Sequence, residues 1–235
     1  MVGSFLMGWF GVVFKGDIIS HVSEHIAIAI TTGYLGSLTT FSGWNQKMLE
    51  LAVLGHWLFA VLGFCIGMLL VASSIVFGIE TATGFRYLLN KLNISSGNAS
   101  SKIKSKLDTY TCVWIRWFLA RLNGRGLGKA GSLKWIPFGT LIANVSASCV
   151  MAALASLKEA VNTRDCDTIV AGIQFGLMGC LSTVSTFVAE FNTMRKGIHP
   201  WRAYAYAIIT ICVSFSLGIL IYCVPVWTRG FDIDT

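Results

Sequence analysis

The sequence predicts an all-helical membrane protein built from two copies of one helical unit, the second inverted relative to the first. Three observations predict it. Of 235 residues, 54% are apolar and only 12% are charged, about half the charge of an ordinary soluble domain. The charge-free residues gather in six runs, 1–14, 26–46, 51–79, 136–157, 168–189 and 203–228, and all but the first reach the about 20 residues that cross a bilayer. Finally, a segment recurs. Residues 33–44 read GYLGSLTTFSGW and residues 176–187 read GLMGCLSTVSTF, identical at five of twelve positions with an offset of 143. A neighbouring offset of 144 pairs Ser4 with Ser148, Met7 with Met151 and Trp57 with Trp201.

Taken in order, the first run is about 21 Å long as a helix, short of the roughly 30 Å hydrocarbon core. It has no basic leader and reads as helix, not as a cleaved signal. The next two runs complete the first copy. The polar stretch 80–135 then holds ten of the 18 Lys and Arg against only Glu80 and Asp108. Such a basic block between apolar runs marks a cytoplasmic loop, with a secondary attraction for anionic headgroups. It accounts for the overall charge of +7 with no nucleic acid as partner. If 80–135 is cytosolic, 15–25 and 190–202 also fall inside, and 47–50, 158–167 and the C-terminus fall outside. Lys and Arg then divide 14 inside to 4 outside. The sequons at Asn93 and Asn98 face the cytosol and stay unmodified on this reading. Trp57, Trp135, Trp201 and Trp227 sit near run ends, where indole rings anchor at the interface. The seven cysteines include no Cys-x-x-Cys pair and read as small packing residues. Three crossings precede the linker, so the second copy starts in the opposite direction, and inverted repeats place their site near the midplane.

The repeated segment has the residues of a broken helix. Gly33, Gly36 and Thr39-Thr40 sit mid-membrane, as do Gly176, Gly179 and Ser182-Thr183. Glycine tolerates non-helical backbone, and Ser/Thr hydroxyls satisfy the groups a break frees. Close helix packing alone would also use such glycines, but not the hydroxyls and aromatics that follow them twice. Phe41 and Trp44 share a helix face, as do Val184 and Phe187. Ring edges are electropositive and suit a small anion, with hydroxyl donors at Thr40, Ser42, Ser185 and Thr186. Asn144 adds an amide in an apolar run, although a lone membrane Asn also ties helices together.

At the TTFS segment the chain resembles the Fluc fluoride channels (the CrcB family), and more closely their fused two-domain eukaryotic exporters. The family's Gly-x-x-Gly-x-x-Thr-Thr-Phe-Ser-Thr-Phe stretch, in the third helix of each four-helix unit, matches 33–44 and 176–187. Its Gly-Thr-Leu-x-x-Asn stretch matches PFGTLIANV at 137–145, and its Gly-x-x-x-Arg-aromatic first-helix end matches CVWIRW at 112–117, which contains Arg116. The resemblance implies a first unit over 1–80, a basic linker over 81–111 and a second unit over 112–235. It implies that the family's two pore phenylalanine positions fall at Phe41 and Trp44 in one copy and at Val184 and Phe187 in the other, with Asn144 as the pore asparagine. A structural sodium ion would be held by the backbone carbonyls of Gly36, Thr39, Gly179 and Ser182. Glu190 takes the acidic position, and polar fourth-helix residues fall among Tyr206, Thr210, Ser214 and Ser216.

The departures shape the expected function. Aligning GSFLMG at 3–8 with ASCVMA at 147–152 puts the first copy's asparagine just before Met1, so that copy lacks its first helix. Trp44 and Val184 replace phenylalanines, Lys47 stands opposite Glu190 in the repeat, Cys112 replaces Gly, and run 51–79 carries only Ser73 and Ser74 as hydroxyls. The expectation is passive fluoride export across the plasma membrane, with at most one of two pores conducting in a pseudo-dimer made by one chain. The partners are fluoride and the lipid bilayer. The competing expectation is a truncated, non-conducting subunit that associates with full-length exporters. Glu190 has no paired acid or suitably spaced His, which leaves no basis for an enzyme.

Overall fold

The computed structural model describes residues 2–13, 35, 39–91, 115, 118–119, 121–123, 133, 135–161 and 163–229. Every regular element among them is helical. These are α1 (Val2–Val13), α2 (Phe41–Val53), α3 (Trp57–Lys91), α4 (Phe138–Val161), α5 (Arg164–Gly172), α6 (Val184–Arg195), α7 (Trp201–Gly218) and α8 (Val224–Arg229). A π-helical segment Ile173–Met178 and a helical turn Gly179–Leu181 follow α5. A second π-helical segment, Ile219–Cys223, joins α7 to α8. Three stretches are long and apolar enough to cross a membrane, Trp57–Leu88, Phe138–Val161 and Trp201–Thr228, so the chain is a multi-pass membrane protein. The side chains of Leu58, Phe59, Leu62, Ile66 and Leu69 on α3 are exposed, which suits lipid and would be costly in water. The α3 hydroxyls turn back on their own helix, Ser73 donating to the Leu69 carbonyl at 2.6 Å and Ser74 to that of Leu70 at 2.8 Å. Hydroxyls bonded this way cost little in lipid.

The connection expected at 47–50 lies elsewhere. Those residues are helical within α2, and the chain turns at Leu54–His56, where Gly55 has φ +81°, a conformation that glycine alone adopts cheaply. Lys47 and Glu50 look like a loop in sequence, but they form an exposed i,i+3 ion pair at 2.7 Å on the outer face of α2. At its other end α3 continues past residue 80 to Lys91. Its 35 residues reach about 52 Å, beyond the roughly 40–45 Å of a bilayer with its headgroups. The sequons at Asn93 and Asn98 lie outside the described residues.

The tryptophans pair at opposite ends. Trp57 meets Trp227 with ring centroids 6.0 Å apart, and Trp135 meets Trp201 at 5.9 Å, the Arg202 guanidinium 5.8 Å from both of the latter rings. Trp201 and Trp227 are separated by about 39 Å of helix, the spacing of two interfacial belts.

Helix α1 lies along α3 in backbone contact. A Cβ added to Gly8 would strike the Ile75 carbonyl oxygen, and one added to Gly78 would strike that of Phe5. Small residues allow this approach in membranes, where packing replaces the hydrophobic effect as the force between helices. Gly78→Val is therefore expected to destabilise the fold by about 1–3 kcal/mol, read as a lower unfolding midpoint in detergent. Gly84→Val, where nothing lies within 4 Å of the added carbon, should leave stability unchanged or raise it by a few tenths of a kcal/mol, because valine is the better helix former.

Candidate functional site

Both repeated segments break where the glycine and hydroxyl pattern places them. Ser182 and Thr183 are extended (φ −91°, ψ 154° and φ −154°, ψ 129°) before α6 begins at Val184. Thr40 is extended (φ −86°, ψ 115°) before α2 begins at Phe41. Two helices thus start at the centre of the molecule and point their positive N-terminal dipole ends toward it.

The two breaks are sewn together by a reciprocal exchange. Thr39 Oγ1 lies 2.7 Å from Ser185 Oγ, and Ser42 Oγ lies 2.8 Å from Ser182 Oγ. The Ser185 amide donates to Thr39 Oγ1 at 3.2 Å, and the Ser42 amide to Ser182 Oγ at 3.0 Å. Thr39 Oγ1 is 3.1 Å from the Leu35 carbonyl, and Ser182 Oγ is 3.1 Å from that of Met178. Each bond maps onto its twin through the 143-residue repeat, with the halves exchanging donor and acceptor roles. Such an exchange is what a two-fold axis produces. The Val184 amide also donates to the Thr39 carbonyl at 2.8 Å.

Around this axis the halves differ. Phe41 and Phe187, both fully buried, meet edge to face with centroids 5.6 Å apart, so the aromatic contact crosses between copies. Phe187 continues to Tyr206 at 5.2 Å. Tyr206 donates to Glu190 Oε2 at 2.9 Å, Thr140 donates to Glu190 Oε1 at 2.7 Å, and Asn123 Nδ2 reaches the same oxygen at 3.3 Å. Three donors on one carboxylate keep it satisfied away from bulk water. The buried polar residues of α4 and α7 fall every fourth position, Thr140, Asn144 and Ser148 on one and Tyr206, Thr210 and Ser214 on the other. That period keeps each set on one face. In the first copy the repeat places Gly63 and Gly67 where the second has Tyr206 and Thr210. Met48 sulfur crowds Gly63, and the Trp44 indole lies 2.5 Å from a Cβ added to Gly67, with Phe64 5.2 Å away. The first copy fills with apolar volume the space that the second lines with polar groups.

The remaining site residues fall as follows. Asn144, suggested by its sequence as an anion donor, spends most of its amide on the other break. Its Oδ1 accepts from the Thr183 amide at 2.8 Å and its Nδ2 donates to the Thr183 carbonyl at 3.1 Å, leaving one N–H. Thr210 gives its proton to the Tyr206 carbonyl at 2.8 Å. Thr183 caps α6 by accepting from the Thr186 amide at 3.3 Å. Val184 is buried in the cluster that holds Phe41 and Phe187, whereas Trp44 turns edge-on to Phe41 at 5.9 Å. Ser216 is exposed on α7, apart from the buried face of Thr210 and Ser214. A Cβ on Gly179 would lie 3.5 Å from Thr40 Oγ1, so the second break sits against the first. Gly36 and Arg116 lie outside the described residues. Sequence reasoning overlooked Thr140, Ser148, Asn45, Gln46 and Asn123. The four-residue spacing from Asn144 in both directions would have found Thr140 and Ser148.

The family model described as CrcB-like protein, Camphor Resistance (CrcB), matches residues 1–93 and 109–222. Fluoride export protein 1 and Fluoride export protein 2 of Schizosaccharomyces pombe are each 28% identical to the chain over an alignment of 256 residues, which covers 87% of this chain and 77% of the relative. A Fluoride-specific ion channel FluC of a Shewanella species is 35% identical over 83 residues, 33% of this chain and 64% of that channel. No solved structure matches.

Proposed function

The chain belongs to the CrcB-like family, and we propose that it is a fluoride channel that lets the anion leave the cytosol passively across the plasma membrane. Relatives that align with most of the chain are named fluoride export proteins. The observation that carries the mechanism is the pair of buried polar stripes on α4 and α7 beside the Phe41–Phe187 contact. An ion at the bilayer centre costs several to more than ten kcal/mol unless it is solvated. Ring edges, the free N–H of Asn144 and the two helix N-termini offset that cost with fixed partial charges of the right sign. The Tyr206 and Thr140 hydroxyls rest on Glu190 until an anion competes for them. The inside-negative potential then supplies about 2.3 kcal/mol per charge per 100 mV outward. The path of the Glu190 half conducts, and the Trp44 half serves as its structural counterpart in an intramolecular pseudo-dimer.

A sodium ion at the axis fits this reading. Sodium is a hard cation that takes oxygen ligands, and the breaks gather hydroxyls and backbone carbonyls within hydrogen-bond distance of one another. Gly36, Thr39, Gly179 and Ser182 would hold it through their carbonyls, where it would tie the halves together and favour anions nearby.

The test is efflux from liposomes that contain the purified chain, followed with a fluoride electrode. Electrically driven fluoride efflux without chloride efflux is the expected result, slowed severalfold when N-methylglucamine replaces sodium on both sides. Absence of efflux, together with capture of the chain by a complete exporter, would establish the non-conducting subunit instead. Glycosylation of Asn93 or Asn98 in cells would reverse the assigned orientation.

A further inference from the structure

One turn beyond the aromatic contact, on the side away from Glu190, the far ends of the two stripes meet a pair of buried amides on α2. Asn45 and Gln46 on α2, Ser148 on α4 and Ser214 on α7 are 0%, 7%, 1% and 0% exposed. Asn45 Oδ1, both polar atoms of the Gln46 amide, Ser148 Oγ and Ser214 Oγ have no hydrogen-bond partner among the described residues. Asn45 Nδ2 makes one long bond, 3.5 Å, to the Ser214 carbonyl. The register of the helices brings the four side chains to one level. One turn earlier, Ser42 bonds Ser182 and Asn144 clamps Thr183. One turn later, Leu49 and Ala152 share an apolar cluster with Tyr222 and Cys223. Asn45, Gln46 and Ser148 are bracketed between these two contacts, and the Asn45 bond adds Ser214 to the group.

An orphaned buried amide or hydroxyl costs about 1–3 kcal/mol, so a group of them at one level marks a place where something polar is bound. Gln46 offers two N–H groups, Asn45 one beyond its bond to Ser214, and the two serines one O–H each, which makes five donors available at this level beside the amide and hydroxyl oxygens. No basic side chain is buried with them among the described residues, so an anion there would be held by neutral N–H and O–H donors alone. The group also lies on the same two stripes as Asn144 and Thr210, in line with the aromatic contact. We propose that Gln46, Asn45, Ser148 and Ser214 form a second fluoride-binding site, at which the dehydrated anion rests between the aromatic contact and the apolar cluster around Leu49. The proposal rests on the channel function above and draws on two residues that the repeat does not share, since Asn45 and Gln46 align with Val188 and Ala189.

The experiment compares Gln46→Met and Ser148→Ala with the parent chain in the liposome assay, alongside unfolding midpoints in detergent. Both substitutions remove orphaned polar atoms and keep volume, so the midpoint should hold or rise. Fluoride efflux should fall at least fivefold for each, and half-saturation should move to higher fluoride for Gln46→Met. Efflux equal to the parent with a higher midpoint would overturn the site while leaving the channel intact. A parent chain that passes no fluoride would instead defeat the channel reading itself. Gln46→Glu provides the charge check, because a carboxylate there should suppress fluoride flux more than methionine does. Flux undiminished by Gln46→Glu would also overturn the site.

Discussion

Asn144→Leu should abolish fluoride flux and weaken the fold in the same variant. The side chain is fully buried and holds both the N–H and the C=O of Thr183, the residue that interrupts the helix. Leucine has nearly the same shape and neither polar group. It leaves two backbone groups orphaned in a membrane interior, at about 1–3 kcal/mol each. The fold should lose about 2–6 kcal/mol, read as a lower unfolding midpoint in detergent, and efflux should drop more than tenfold because the break moves out of register with the stripes on α4 and α7. Asn144→Asp, which keeps an acceptor for the Thr183 amide, should fall between the two in stability. Parent-like efflux from Asn144→Leu would show that the Thr183 break does not position the path.

Phe187→Ile should separate conduction from stability. Isoleucine keeps an apolar side chain but fills less space than the ring, so the fold should lose about 1–3 kcal/mol. It has no ring quadrupole, so the electropositive edge beside Phe41 and Tyr206 disappears. Efflux is expected to fall more than tenfold, beyond what Phe187→Leu, a ringless change of similar stability cost, would show if only packing mattered, and Phe41→Ile should do the same from the other copy. Val184→Ile, within the same cluster but without a ring to lose, should stay within twofold of the parent. If Phe187→Ile conducts normally, the aromatic contact is packing and not part of the path.

Much of this was legible in the residues because the chain states it twice. The recurrence of Gly-x-x-Gly, paired hydroxyls and aromatics gave the breaks, and Thr39, Ser42, Ser182 and Ser185 indeed meet there. The charge-free runs gave the spanning stretches at 136–157 and 203–228, which became Phe138–Val161 and Trp201–Thr228. What escaped followed from physics that composition does not display. Lys47 and Glu50 resemble a loop until their i,i+3 spacing lets them pair outside a continuing helix. The fate of the Asn144 amide depends on a peptide 39 residues away. Asn45 and Gln46 interrupt an apolar pattern and look like a boundary, although the α2 turn that carries them is buried on that side.

The hydroxyl exchange at the axis also bears on how such a molecule can specialise. A residue that touches its own duplicate's neighbourhood must suit both ends of the same bond, so drift there harms the join itself. Thr39 and Ser182, Thr40 and Thr183, and Ser42 and Ser185 have all kept an alcohol. One step off the axis each side chain meets different company, and there the duplication aligns Phe41 with Val184, Trp44 with Phe187 and Lys47 with Glu190. Positions off the seam can therefore diverge between the two copies while the seam itself stays matched.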